Sequence, residues 1–156
     1  MAANIEGASP VKRRDLLVAG AGMAMLALVR PASATPAEMA AAINIFTGGV
    51  KPQPGKVKFD IAQLIDNGNA VPLTVSVEGA AENVRAIAIF TERNPQTEVA
   101  VFTLGPRSGK AEVATRIRLA TSQRLMAVAR MSDGSYWSHG VDVIVALAAC
   151  IEGEAP

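Results

Sequence analysis

The sequence predicts an all-β fold: an immunoglobulin-like antiparallel β-sandwich of about seven strands with a short N-terminal helix. Three observations lead there. Apolar and polar residues alternate with period two in one segment after another, as strands with a single buried face require. Turn-forming residues such as Asn67-Gly68-Asn69 and Asp133-Gly134 separate those segments at short intervals. The chain of 156 residues has room for one core plus a targeting segment, not for two cores. Short strands with short connections around one core are most simply arranged as two packed sheets, with a small barrel as the alternative. The Cys…Trp…Cys framework of antibody domains is missing, because the chain has a single cysteine.

Residues 1–34 read as an export signal rather than as part of the fold. Lys12, Arg13 and Arg14 precede an apolar stretch at 16–29, which is the length of a signal core and short for a membrane span. Pro31 breaks the stretch, and Ala32-Ser33-Ala34 follows as a small-residue cleavage site, with Ala32 and Ala34 at its two reading positions. Arg13 and Arg14, followed by Asp15-Leu16-Leu17, resemble the twin-arginine signal; an ordinary secretory signal holding two arginines is the alternative. Cleavage after Ala34 removes the apolar stretch and leaves residues 35–156 with no membrane anchor. Export by either route places the protein in the periplasm.

The remaining elements follow in order. Thr35 is a candidate N-cap with Glu38 at its third position, opening a helix over 36–46 that Gly48-Gly49 ends. Pro52, Pro54 and Gly55 mark a connection. Val57, Phe59 and Ile61 then alternate with Lys58 and Asp60 in a first strand over 56–61. Val71, Leu73, Val75 and Val77 form the apolar face of a second, with Pro72 near its start. Further strands are expected over 84–91, 98–104, 112–120, 125–131 and 136–147. The last two flank Ser132-Asp133-Gly134-Ser135, a hairpin signal. These elements give a domain over 35–147 and a tail over 148–156.

Composition excludes several functions. The net charge of +1 removes the basic footprint of a nucleic-acid binder. One His and one Cys do not make a zinc site of the usual kind, and no carboxylate cluster compensates, so neither metal nor cofactor is expected. His139, the only imidazole, lies beside the final strand and is read as a surface or capping residue. The run 105–110, Gly-Pro-Arg-Ser-Gly-Lys, lacks the spacing of a phosphate-binding loop and is read as a connection between two antiparallel strands. Arg116 and Arg118 alternate with Ile117 and Leu119 as the solvent face of a strand does. No acid, base and nucleophile can be assembled, so an enzyme is not expected. Cys150 stands apart: it follows the last strand by three residues and precedes the end by six. It is either a thiol projecting beyond the sheet or a small apolar residue buried at the strand's end.

Three blocks resemble the sulfur-carrier family SoxY of the periplasmic thiosulfate-oxidising system. They run from Asn67 through Val77, from Ser108 through Val113 and on through Thr121, and from Met131 through Ser135; the element Glu92-Arg93-Asn94-Pro95-Gln96 is similar as well. The resemblance implies an immunoglobulin-like sandwich that pairs with a SoxZ-like subunit and is no enzyme itself. It implies that Cys150 carries sulfur intermediates covalently. Periplasmic Sox enzymes of the c-type cytochrome and metal-dependent hydrolase types would then act on the carried group. The family's tail is Gly-Gly-Cys-Gly-Gly, whereas here Ala148 and Ala149 precede Cys150, and Ile151, Glu152 and Gly153 follow it. Alanine and isoleucine stiffen a swinging arm, and carboxylates beside a thiol disfavour its thiolate. The second hypothesis is therefore a non-carrier interaction module in which Cys150 forms an intermolecular disulfide.

Overall fold

The computed structural model describes residues 34–147. The expected export signal (Arg13, Arg14, Ala32) and the tail with Cys150 lie outside the described residues. Helix α1 (Pro36–Thr47) opens with the expected capping box: the Thr35 hydroxyl accepts from Glu38 N, and the Glu38 carboxylate accepts from Thr35 N at 2.7 Å. Gly48 closes it in the left-handed region at φ 61°, where a glycine carries no Cβ penalty.

Nine strands follow among the described residues: β1 (Gln53–Pro54), β2 (Val57–Ile61), β3 (Leu64–Asn67), β4 (Val71–Val77), β5 (Val84–Thr91), β6 (Glu98–Thr103), β7 (Glu112–Ile117), β8 (Gln123–Met131) and β9 (Tyr136–Leu147). One sheet has the order β1-β9-β8-β5-β6, with β3 also beside β9; the other has the order β2-β4-β7. The two sheets make the predicted immunoglobulin-like sandwich. Seven strands coincide with the expected segments. The two additions are short, and both pair in parallel along the outer edge of β9: Gln53 opposite Trp137, and Leu64 opposite Ile144. Neither is long enough to show an alternation, and β1 contains a proline.

The core lies between the sheets. Val57, Phe59, Leu73, Val75 and Ile117 come from the small sheet, and Ile87, Ile89, Leu125, Ala127, Ala129 and Val143 come from the large one. β5 is buried on both faces, so its sequence runs Ala86-Ile87-Ala88-Ile89-Phe90 without a polar interruption. Its second face is covered by α1, whose Met39 packs with Ala88, Phe90 and Val128. Phe46 meets Phe90 and Tyr136 edge to face at centroid distances of 5.9 and 6.0 Å.

The 105–110 loop is a connection between two strands, as expected, but β6 and β7 belong to different sheets. The loop crosses the end of the sandwich, and its exposed glycines and Ser108 serve that crossing: the Ser108 hydroxyl accepts from Gly105 N at 3.0 Å. Alternation identifies strands but not their partners, so it could not distinguish a hairpin from a crossover.

Candidate functional site

The candidate site is the end of the sandwich that β9 leaves on its way to Cys150. β9 is twelve residues long, and its apolar side (Trp137, Val141, Val143, Val145) packs on the core. Near its end it is held on both sides. Ile144 N donates to Gln63 O at 2.7 Å, and Val145 N donates to the Ser122 hydroxyl at 2.9 Å. Leu147 is registered opposite Asn67 of β3.

The loops around this exit form a polar hub centred on Asn94 and Gln123, both buried. Asn94 Nδ2 donates to Arg118 O at 2.7 Å, while Asn94 Oδ1 accepts from Ala120 N at 3.0 Å and from Gln123 Nε2 at 2.9 Å. Gln123 Nε2 also donates to Thr121 O, and Gln123 Oε1 accepts from Arg93 N at 2.8 Å. Buried amides are costly unless bonded, so this satisfied set fixes the 92–97 and 118–122 loops in one geometry. The Asn67-Gly68-Asn69 turn joins it, since Gly68 O accepts from Leu119 N at 2.8 Å. Periodicity gave no sign of the hub, because its members sit in irregular segments. The resemblance did touch it, through Glu92-Arg93-Asn94-Pro95-Gln96.

Of the other singled-out residues, His139 lies mid-strand opposite Ala127, away from this end, whereas Arg118 lends its backbone carbonyl to the hub. His139 is exposed, and its Nδ1 accepts from Phe59 N at 3.1 Å, which ties β9 to β2. Arg116 and Arg118 are exposed on the strand edge and loop, as expected. Arg124 lies against Gly140 and meets Asp142 at 3.6 Å in an exposed pair, a contact that contributes little. Ala34 is buried, and its N donates to Asn94 O at 3.3 Å, so the expected cleavage position abuts the hub. Among the described residues no group of three or more His, Cys, Asp or Glu could hold a metal ion, and no helix is long and apolar enough to cross a membrane. A cleft of about 710 Å³ is an open depression on the outer face of the small sheet around Asp60, Thr74 and Arg116.

Fold and site together define an immunoglobulin-like sandwich whose one cysteine follows a braced strand by three residues in the sequence. Comparison with known proteins makes this specific. The family described as sulfur oxidation protein SoxY matches residues 43–150, a span that ends on Cys150, and the chain belongs to that family. The solved structure of the sulfur carrier protein SoxY from Chlorobium limicola f thiosulfatophilum is 28% identical, with a TM-score of 0.61, covering 71% of this chain and 98% of that one. A superoxide reductase (neelaredoxin) from Ignicoccus hospitalis is 15% identical with a TM-score of 0.52, covering 73% of this chain and 95% of that one; it shares the fold alone. No curated protein matches the sequence.

Proposed function

We propose that this chain is a covalent sulfur carrier of thiosulfate or related reduced-sulfur oxidation, with Cys150 as the attachment atom and a SoxZ-like subunit as its partner. Membership of the SoxY family carries the reading, because the match runs up to the chain's only cysteine. The placement of that cysteine supports it. Three residues span at most about 11 Å, so Cys150 stays tethered close to the end of β9. A thiol on such a tether can be offered to a partner enzyme, while the sandwich serves as the handle.

Attaching a sulfur group to the thiol replaces S–H with S–S, a two-electron oxidation that also releases the thiol proton. The electrons must pass to a partner, which suits a c-type cytochrome; hydrolysis of the carried group suits a metal-dependent hydrolase. At pH 7 an ordinary cysteine is only a few per cent thiolate, so activation falls to those partners. We further propose export through Arg13 and Arg14, cleavage after Ala34 and a periplasmic location. Cleavage there would leave Thr35 as the new terminus, with its nitrogen already facing the Glu38 carboxylate.

The test is intact-mass measurement of protein taken from cells oxidising a reduced sulfur compound. Adducts that reductant removes are expected, and Cys150→Ser should abolish them with no change in melting temperature. If the only modified species is a disulfide-linked dimer, the chain is the interaction module instead.

A further inference from the structure

We infer that the folded domain guards its own processing bond: the Ala34–Thr35 peptide is closed to a leader peptidase until the first turn of α1 opens. The inference rests on the proposed cleavage after Ala34. Hydrolysis there adds water across the amide, leaving an Ala34 carboxylate on the leader and a Thr35 ammonium on the domain. A leader peptidase reads small side chains at 32 and 34 and must take both into its own site. Sites that are cut readily are exposed and loosely held. Ala34 is neither, being only 8% exposed beside a cleft that it shares with Pro36, Arg93 and Thr121.

Backbone hydrogen bonds hold the chain on both sides of the bond. Upstream, Ala34 N donates to Asn94 O at 3.3 Å, which ties it to the 92–97 loop of the buried hub. Downstream, Thr35 N is the nitrogen that must leave, and it donates to the Glu38 carboxylate at 2.7 Å. The Thr35 hydroxyl donates to the same carboxylate at 3.2 Å and accepts from Glu38 N at 3.3 Å. Thr35 O accepts from Met39 N at 3.0 Å, the first rung of α1. Attack on the Ala34 carbonyl takes the amide out of its plane. These bonds oppose that movement, and they keep Ala34 out of a peptidase pocket.

The first turn is itself seated. Met39 is buried, and it packs with Ala88, Phe90 and Val128 under the helix. Residues 34–38 therefore do not fray as a free chain end does. Opening them breaks the capping box and strains the seat of Met39 together. Cleavage proceeds from the open state, so its rate follows the population of that state. Glu38 is thus a positioning residue that acts on processing through Thr35 N. A chain folded before it meets the peptidase presents the bond closed, whereas a chain exported unfolded presents it open.

The experiment is processing of the purified full chain, leader attached and in detergent micelles, by a bacterial leader peptidase. Intact mass follows the product, and a synthetic peptide of residues 22–42 is the unfolded reference. The product should begin at Thr35, and the folded chain should be cut roughly tenfold or more slowly than the peptide, as a closed bond requires. Glu38→Ala removes the capping box and should speed the folded chain about fivefold, the factor that one N-cap typically carries. Glu38→Gln keeps the acceptor and should stay at the wild-type rate. Met39→Ala loosens the turn from beneath and should speed processing at least as much as Glu38→Ala. Neither alanine substitution should change the rate at which the peptide is cut. Equal rates for folded chain and peptide overturn the inference and leave the cleavage position standing; so does a wild-type rate in Glu38→Ala. A product that begins elsewhere than Thr35 removes the proposed cleavage position, and the inference with it.

Discussion

Asn94 shows how much of the candidate site rests on single side chains. Its amide bonds a carbonyl and a backbone N–H 24 and 26 residues away, and a side-chain amide 29 residues away. Asn94→Ala would leave the Arg118 carbonyl and the Ala120 N–H without that partner in a buried setting. Each such orphan costs about 1–3 kcal/mol, so a loss of about 2–4 kcal/mol is expected in urea unfolding. Hydrogen exchange at Ala120 should accelerate in parallel. A loss below about 0.5 kcal/mol, the usual size for a surface change, would mean that the hub is not what braces this end. None of this was legible from periodicity, because a hydrogen bond between loops 26 residues apart leaves no local pattern. Cys150 is proposed on a different ground: a chain with one cysteine offers no other candidate for the attachment atom.

Among the elements, the β8–β9 hairpin sets the register of the strand that leads to the thiol. Its turn is fixed by Asp133, whose carboxylate accepts from the Ser135 hydroxyl at 2.6 Å and from Ser135 N at 2.9 Å. The Ser135 side chain, then its backbone N–H, hold the Asp133 carboxyl below its ordinary value, with Lys56 adding a smaller pull the same way. A carboxylate whose pKa is lowered by folding stabilises the fold above its unfolded-state value, and the effect fades as pH falls through the folded-state value. Asp133→Asn keeps an acceptor but no charge. The urea midpoints of wild type and variant should therefore differ at pH 7 and converge below about pH 4. A gap that stays constant with pH would show that the charge does not matter. This hairpin was readable in advance because Asp-Gly chemistry is local, and so were the seven longer strands and the capping box at Thr35. β1 and β3 were not, since parallel pairing with β9 depends on which strand lies beside them rather than on their own sequence.

At the scale of the whole molecule, β9 is a mast bound to β8 on one side and to β1 and β3 on the other, and the thiol follows its end. On the proposed carrier reading, a strand paired up to Leu147 would leave to the tail the whole reach to a partner's active site. On that reading, the departures from a glycine tail at Ala148, Ala149 and Ile151 are the features that would set this protein's own rate. Glycine has more accessible backbone states than alanine, and isoleucine is restricted further at its branched Cβ. Replacing all three by glycine should therefore speed adduct loading on Cys150 several-fold, read as adduct fraction against time by intact mass. The melting temperature should not move, because the substitutions lie beyond the last strand. Equal loading rates in the two proteins would mean that tail stiffness is not the limiting step. Attention would then pass to Glu152 and Glu154, where glutamine substitutions test whether charge beside the thiol slows the reaction instead.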